Sequence, residues 1–128
     1  MHEKHLFEYA VIRIVPRVER EEFLNVGVIV YCAKENFLHA LIGVNHHRLQ
    51  VFCGDELDLH EIEANLDALQ RICVGGSSSG PIGRLDMASR FRWLTATRST
   101  VVQSSKVHPG LCTNAGEVLK KLFEQLVL

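Results

Sequence analysis

The stretch FLNVGVIVYCAKENFLHALI, residues 23–42, contains two apolar runs separated by a short, more polar segment. The runs are rich in Val, Ile, Leu and Phe, as β-strands are, and the segment Ala33-Lys34-Glu35-Asn36 predicts a tight turn between them. Residues 6–15 form a third run of this kind, which Pro16 should end because proline cannot donate to a strand ladder. Strands joined by short links favour an antiparallel meander, since parallel pairs need long crossovers.

The three runs are followed by segments with helical periodicity. In residues 58–73 the apolar side chains recur at helical spacing and the acids line the other face, while Asp58 with Glu61 resembles a capping box. Further helices are predicted in two shorter segments and near the end of the chain: residues 44–52, residues 84–94, and the segment that Thr113 or Asn114 should cap.

These elements predict the architecture. A fourth strand is expected in residues 99–104, and the glycines and serines of residues 75–83 predict a flexible loop. We therefore predict a single α+β domain over residues 1–128, in which helices pack on an antiparallel sheet of about four strands. The run at residues 6–15 is apolar on both faces, so we expect this strand to be central and covered on both sides.

Length and composition limit the classes of protein to which the chain can belong. With 128 residues, of which 47% are hydrophobic and 23% charged, it suits one globular domain. The net charge of −1 argues against a general binder of nucleic acid. The apolar runs are far too short to span a bilayer, and the four cysteines include no C-x-x-C pair, which predicts reduced, mostly buried thiols. We therefore expect a cytoplasmic protein with no membrane partner.

Positive charge and aromatic side chains coincide in RFRWLTATRST, residues 90–100. The segment holds three guanidinium groups, the only Trp of the chain and several hydroxyls. Arginine forks match phosphate or carboxylate groups, hydroxyls complete such a site, and an indole can stack on a base or on an Arg plane. The alternative role is structural: Trp93 and Phe91 would fill the core, and the Arg side chains would pair with the acids of residues 55–67.

Polar residues inside the predicted strands are further candidates. Arg13 lies on an apolar strand face, where an unpaired charge is costly, so it should bind an anion or form an internal ion pair with Glu22 or Asp86. Asn25 and Gly27 interrupt the second strand, where glycine commonly marks a bulge or the close approach of a ligand or a packed helix. The candidate ligand-binding residues are Arg13, Asn25, Arg90, Arg92, Trp93, Arg98, Ser99, Thr100, Gln103 and His108.

No motif assigns a metal, a cofactor or a catalytic group. One set of potential metal ligands is close in sequence but lacks the paired spacing of zinc sites, so we expect no metal. This set is His46, His47, Cys53, Asp58 and His60. Hydroxyls in residues 99–104 lie near His108 in sequence, but G-x-S-x-G is absent and nothing orients a base, so catalytic residues stay unassigned. The Gly/Ser loop lacks G-x-x-x-x-G-K-[ST], and we expect no cofactor.

Five short segments together resemble a bacterial family designated Domain of Unknown Function 3037. They are FEYAVIR at 7–13, EFLNVGV at 22–28, RFRWLTA at 90–96, RSTVVQ at 98–103 and HPG at 108–110. These segments span almost the whole chain. The resemblance implies a small stand-alone bacterial protein with no assigned activity. Similar proteins are often encoded beside a kinase-like protein of the HipA type, which implies such a protein as a partner.

Three functions agree with these observations. The first is a non-catalytic binding or accessory module that holds an anionic, phosphate-bearing ligand or a kinase-like partner through the Arg-rich segment. The second is an enzyme that acts on a phosphate-containing or nucleic-acid substrate, with His108 or Glu22 as the base. The third is a structural subunit of a complex, which should carry a large exposed apolar patch. Convergence of the candidate Arg side chains on one open cleft would favour the first.

Overall fold

The structure, a computed structural model, describes residues 3–16, 22–54, 58–76, 79–98 and 100–128. These residues form five strands: β1 (His5–Ile14), β2 (Leu24–Cys32), β3 (Phe37–Ile42), β4 (Val102–Ser104) and β5 (His108–Cys112). They also form five helices: α1 (His46–Cys53), α2 (Leu59–Val74), α3 (Gly80–Gly83), α4 (Met87–Leu94) and α5 (Ala115–Leu126). The predicted α+β class, with helices packed on an antiparallel sheet, is confirmed.

β1 is the central strand of the sheet. One edge of β1 pairs with β2, which in turn pairs with β3, and the other edge pairs with β5 over residues 5–9 and with β4 over residues 12–14. The described sheet therefore has five strands, whereas about four were predicted. The additional strand, β5, contains Pro109 and Gly110, which are rare within strands. Proline is tolerated here because β5 is an edge strand, where a missing N–H breaks no internal ladder.

Each face of the sheet carries its own apolar core, because side chains alternate along a strand. Ala10, Ile12 and Ile14 of β1 pack with residues of α1, α2 and α4. Phe7 and Tyr9 lie on the opposite face and pack with residues of α5. We call these two surfaces the α2 face and the α5 face. The expectation that β1 is covered on both sides is confirmed.

A β-bulge in β2 brings two polar residues together. The register shifts so that Ile12 faces Gly27 while Arg13 faces Asn25. Glycine is required at position 27 because a Cβ there would lie 2.8 Å from the carbonyl oxygen of Leu41. The close approach predicted at this glycine is thus made by the neighbouring strand β3. As a result of the bulge, Arg13 and Asn25 lie side by side on the α5 face.

Polar side chains cap the helices close to the predicted positions. Asp58 caps α2 and Asn114 caps α5, and each side chain accepts backbone N–H groups of the first turn. Helix α4 begins at Met87, later than predicted, because the Asp86 carboxylate accepts the N–H of Ser89 at 2.7 Å and caps the helix there. The carboxylate of Asp86 is therefore occupied at the start of α4.

The Gly/Ser segment after α2 is only partly the loop that its composition predicts. Gly75 ends α2 with a φ of +80°, a conformation that favours glycine. Residues Gly80–Gly83 form the short helix α3, and the hydroxyl of Ser79 donates to the carbonyl oxygen of Arg71 at 2.9 Å. Residues 77–78 of the predicted loop lie outside the described residues.

Two further features concern the state of the cysteines and the lengths of the helices. All four cysteines are free and buried, in agreement with the prediction of mostly buried thiols. Within the described ranges, each helix is too short or too polar to cross a bilayer.

Candidate functional site

Arg90 holds the end of α2 and is only 8% exposed. Its Nη1 donates to the carbonyl oxygens of Ile72 at 2.8 Å and Cys73 at 2.7 Å, and its Nε donates to that of Leu85 at 3.1 Å. The last carbonyls of a helix have no partner within the helix, so the guanidinium group supplies donors that α2 lacks. These bonds and the burial of the side chain favour a structural role for Arg90.

Arg92 lies on the exposed side of α4 and is paired with Glu8 of β1. Its Nη1 and Nη2 donate to the two carboxylate oxygens at 2.8 and 3.0 Å. The hydrogen bond to Glu8 is the main cause that raises the pKa of Arg92. The structural role considered in the sequence analysis predicted that the Arg side chains pair with acids of residues 55–67. Residues 55–57 lie outside the described residues. The partner is instead an acid of the central strand, and it neutralises Arg92.

Phe91 and Trp93 occupy different environments, although the structural alternative places both in the core. Phe91 is fully buried, and its ring centroid lies 5.3 Å from that of Tyr31. Trp93 is 40% exposed. Two positions along a helix correspond to a rotation of about 200°, so the two rings point away from each other. The core interpretation is correct for Phe91 and wrong for Trp93.

Arg98 lies on the exposed indole of Trp93. The guanidinium carbon is 4.0 Å from the ring centroid, and Nη2 donates to the carbonyl oxygen of Trp93. A cation–π contact of this kind holds the guanidinium plane in place. Among the residues that the structure describes, no carboxylate forms an ion pair with Arg98. Its positive charge therefore has no acidic partner in that part of the chain.

A cleft of about 210 Å³ opens beside the Trp93–Arg98 pair, and we call it the Trp93 cleft. One wall is formed by α2, which contributes apolar side chains such as Leu69 and Ile72. The other wall is formed by the end of α4 and the segment leading to β4. Three predicted site residues, Trp93, Arg98 and Thr100, therefore meet here. Ser99, which is also predicted to belong to the site, lies outside the described residues.

A second group of predicted residues lies on the α5 face. Arg13 of β1 faces Asn25 on one side and Gln103 of β4 on the other. The guanidinium carbon of Arg13 is 3.9 Å from the ring centroid of Phe23, and burial lowers the pKa of Arg13. Gln103 donates through Nε2 to the carbonyl oxygen of Thr100 at 2.7 Å. The candidate residues are thus divided between the two faces of the sheet and do not converge on one cleft.

The Arg13–Asn25 pair contains two buried polar atoms without partners. Nε of Arg13 and Oδ1 of Asn25 have no hydrogen-bond partner within the described ranges, although Nδ2 of Asn25 donates to Leu126 O at 3.1 Å. Arg13 forms no ion pair among these residues, and Asp86, one expected partner, caps α4 instead. A bound molecule that offers both an acceptor and a donor would satisfy the two atoms.

His108 is not placed to act at the Trp93 cleft. It lies exposed on β5, where it pairs with Tyr9, and the two ring centroids are 5.2 Å apart. Tyr9 belongs to the α5 face, on the opposite side of the sheet from α4. The hydroxyls of Thr100 and Ser104 donate to backbone carbonyls. Neither hydroxyl is hydrogen-bonded to His108, so these described residues do not form the oriented pair of nucleophile and base that the sequence left open.

Sequence reasoning missed a polar cluster on the α5 face. Glu35, in the turn between β2 and β3, accepts the backbone N–H of Ala115 at 3.0 and 3.2 Å, and it also contacts His5, Cys32 and Cys112. The bond from Ala115, followed by that from His5, lowers the pKa of Glu35. Burial raises the pKa of the Cys112 thiol to about 11. Because His5, the Cys32–Glu35 segment and Cys112 come from separate parts of the chain, no spacing motif indicates the whole cluster.

Comparison with known proteins identifies a family of unknown function. The family described as Protein of unknown function (DUF3037) matches residues 9–127, which is nearly the whole chain. The chain belongs to the DUF3037 family. This finding confirms the resemblance in the sequence. No curated protein and no solved structure matches the chain. The matched part of this DUF3037 protein includes both walls of the Trp93 cleft and the Arg13–Asn25 pair, but it starts after His5.

Proposed function

We propose that this DUF3037 protein is a non-catalytic binding module that holds an anionic group of a partner protein in the Trp93 cleft. The observation that supports the proposal is the stacking of Arg98, which has no acidic partner in the described chain, on an indole that is 40% exposed. Trp and Arg are among the residues that most often dominate the energy of binding surfaces. An exposed pair of this kind at the edge of an apolar cleft is therefore suited to recognition.

The size of the Trp93 cleft favours a small group over a nucleotide. Sites that enclose a drug-sized ligand have volumes of about 300–1,000 Å³, whereas this cleft has about 210 Å³. Its walls carry the apolar side chains of Leu69, Ile72 and Leu94, and Arg98 provides the charge. A short aliphatic group next to a carboxylate or phosphate matches this composition, and both side chains and chain termini of proteins offer one.

Arg98 supplies the donors for such an anion. A guanidinium group carries five N–H donors in a fixed fork, and the bond to the Trp93 carbonyl oxygen involves only Nη2. The remaining donors can form two parallel bonds to a carboxylate or phosphate, which are stronger than bonds between neutral groups. Arg90 and Arg92 do not contribute, because their donors are directed to backbone carbonyls and to Glu8.

For the partner we propose a kinase-like protein of the HipA type. This choice comes from the family resemblance, and the exposure of Trp93 supports a protein as the ligand. When a purified HipA-type kinase-like protein is mixed with this chain, we expect the two proteins to copurify. We expect the substitution Arg98→Gln to abolish the complex. If the Arg98→Gln variant copurified with the kinase-like protein as well as the unaltered chain does, the partner would bind outside the Trp93 cleft.

Fluorescence of Trp93 tests the binding chemistry, because it is the only Trp in the chain. Isovalerate combines a branched apolar tail with a carboxylate, and we expect it to shift the Trp93 emission in a saturable way. Its neutral isostere, 3-methylbutanamide, should bind at least about 10-fold more weakly, since it has no negative charge and offers Arg98 only one acceptor oxygen. Inorganic phosphate serves as a second probe for the anion alone.

Two variants locate the site in this titration. Arg98→Gln should remove the preference for isovalerate over the amide. Arg13→Gln alters the other group of predicted residues, on the α5 face, and should leave the titration unchanged. If only Arg13→Gln removed the preference, the anion site would lie on the α5 face. Equal binding of isovalerate and the amide by the unaltered protein would exclude an anion site in the Trp93 cleft.

A further inference from the structure

Four potential metal ligands meet on the α5 face, on the opposite side of the sheet from the Trp93 cleft. Oε2 of Glu35 lies 3.0 Å from Nδ1 of His5, 3.7 Å from Sγ of Cys32 and 3.6 Å from Sγ of Cys112. The ligand atoms of His5, Cys32 and Glu35 all lie within 4.8 Å of one another. Strand pairing explains the cluster: His5 of β1 faces Cys112 on β5, and Cys32 ends β2 on the other side of β1.

These distances are close to those around a tetrahedral ion. Zinc binds sulfur at about 2.3 Å and nitrogen or oxygen at about 2.0–2.2 Å, which places neighbouring ligand atoms about 3.3–3.8 Å apart at tetrahedral angles. The separations of 3.0, 3.6 and 3.7 Å from Glu35 Oε2 require only small side-chain shifts to reach this range. Three of the four ligand atoms are thus within 4.8 Å of one another before a metal binds, and Sγ of Cys112, which is outside that set of three, must shift to complete the tetrahedron.

We propose that His5, Cys32, Glu35 and Cys112 form a structural zinc site. Two thiolates, one imidazole and one carboxylate complete a tetrahedral set, and sulfur ligands favour Zn²⁺ over Mg²⁺ or Ca²⁺. Four protein ligands leave no open position for a substrate, so the role is structural. The ion would link the start of β1, the β2–β3 turn and the end of β5, next to Ala115, the first residue of α5.

The ion has access to this site from solvent. The thiols are buried, but the side chains of His5 and Glu35 are 21% and 22% exposed. A hollow of about 550 Å³ is lined in part by Cys112. The expectation of no metal was based on the set in residues 46–60, which contributes no residue to this cluster.

Cobalt substitution of the reduced, full chain tests the proposal. After treatment with a chelator, one equivalent of Co²⁺ should produce a thiolate-to-cobalt charge-transfer band and the visible bands of tetrahedral cobalt. One equivalent of Zn²⁺ should remove both, because it occupies the same ligands. Competition with a chromophoric zinc chelator then measures the affinity and should give one Zn²⁺ per chain.

Three variants distinguish a metal site from a cluster in which Glu35 only accepts hydrogen bonds and caps α5. His5→Ala alters a partly exposed residue and should weaken Zn²⁺ binding by more than the about 10- to 100-fold that loss of an outer-shell partner causes. Cys112→Ser should lower the charge-transfer intensity by about half, since one of the two proposed thiolate ligands is removed. Cys53→Ser changes a buried cysteine outside the cluster and should leave both readouts unchanged. Absence of the charge-transfer band in the unaltered chain, or an unchanged Zn²⁺ affinity in His5→Ala, would overturn the proposal.

Discussion

Replacement of Arg90 by methionine is expected to lower the free energy of unfolding by about 3–5 kcal/mol. Methionine keeps the apolar stem but removes the donors to the carbonyl oxygens of Ile72, Cys73 and Leu85. A buried acceptor left without a partner costs about 1–3 kcal/mol, and bonds from charged donors lie at the upper end of that range. Urea denaturation of the two proteins measures the difference.

Arg92→Met is the matched control for this measurement. Arg92 lies on the same helix, and its ion pair with Glu8 has a largely exposed arginine. Exposed ion pairs contribute about 0–1 kcal/mol, so we expect a correspondingly small loss. Equal losses in the two variants would contradict the structural role assigned to Arg90, and Arg90 would again be a candidate for binding.

Replacement of Phe91 by alanine is expected to cost about 3–5 kcal/mol of stability. Phe91 is fully buried in the core of the α2 face, so truncation removes apolar burial and leaves a cavity. Trp93→Ala removes a larger side chain but one that is 40% exposed, and we expect less than half of that loss. A loss in Trp93→Ala as large as that in Phe91→Ala would place the indole in the core and remove the basis for binding at the Trp93 cleft.

The main strands were predictable because their apolar runs and their polar turn are distinct in the sequence. β3 has the predicted bounds, and β1 and β2 differ from the prediction by a single residue at their ends. β5 was not predictable, since Pro109 and Gly110 have low strand propensity and only pairing with β1 overrides it. The starts of two helices were predictable from their capping side chains, because Asp58 and Asn114 cap α2 and α5 as expected.

The site was predictable only where it depends on local structure. Residues 90–98 form one segment in sequence, but helical spacing turns Arg90, Phe91 and Leu94 inward and Trp93 outward. The separation into inward and outward side chains follows from the 3.6-residue period of an α-helix. The Arg13–Asn25 pair depends on a bulge in β2, and the cluster around Glu35 depends on the register of three strands. Neither can be derived from local spacing, because pairing of distant segments creates both.

A crystal structure of the protein with isovalerate is the most direct test of the Trp93 cleft. We expect the carboxylate oxygens to lie about 2.7–2.9 Å from guanidinium nitrogens of Arg98. The branched tail should contact Leu69 and Ile72, which line the cleft. Isovalerate bound beside Arg13 and Asn25 instead, or a Trp93 cleft that stays empty at a saturating concentration, would contradict the proposal that this protein holds anionic groups there.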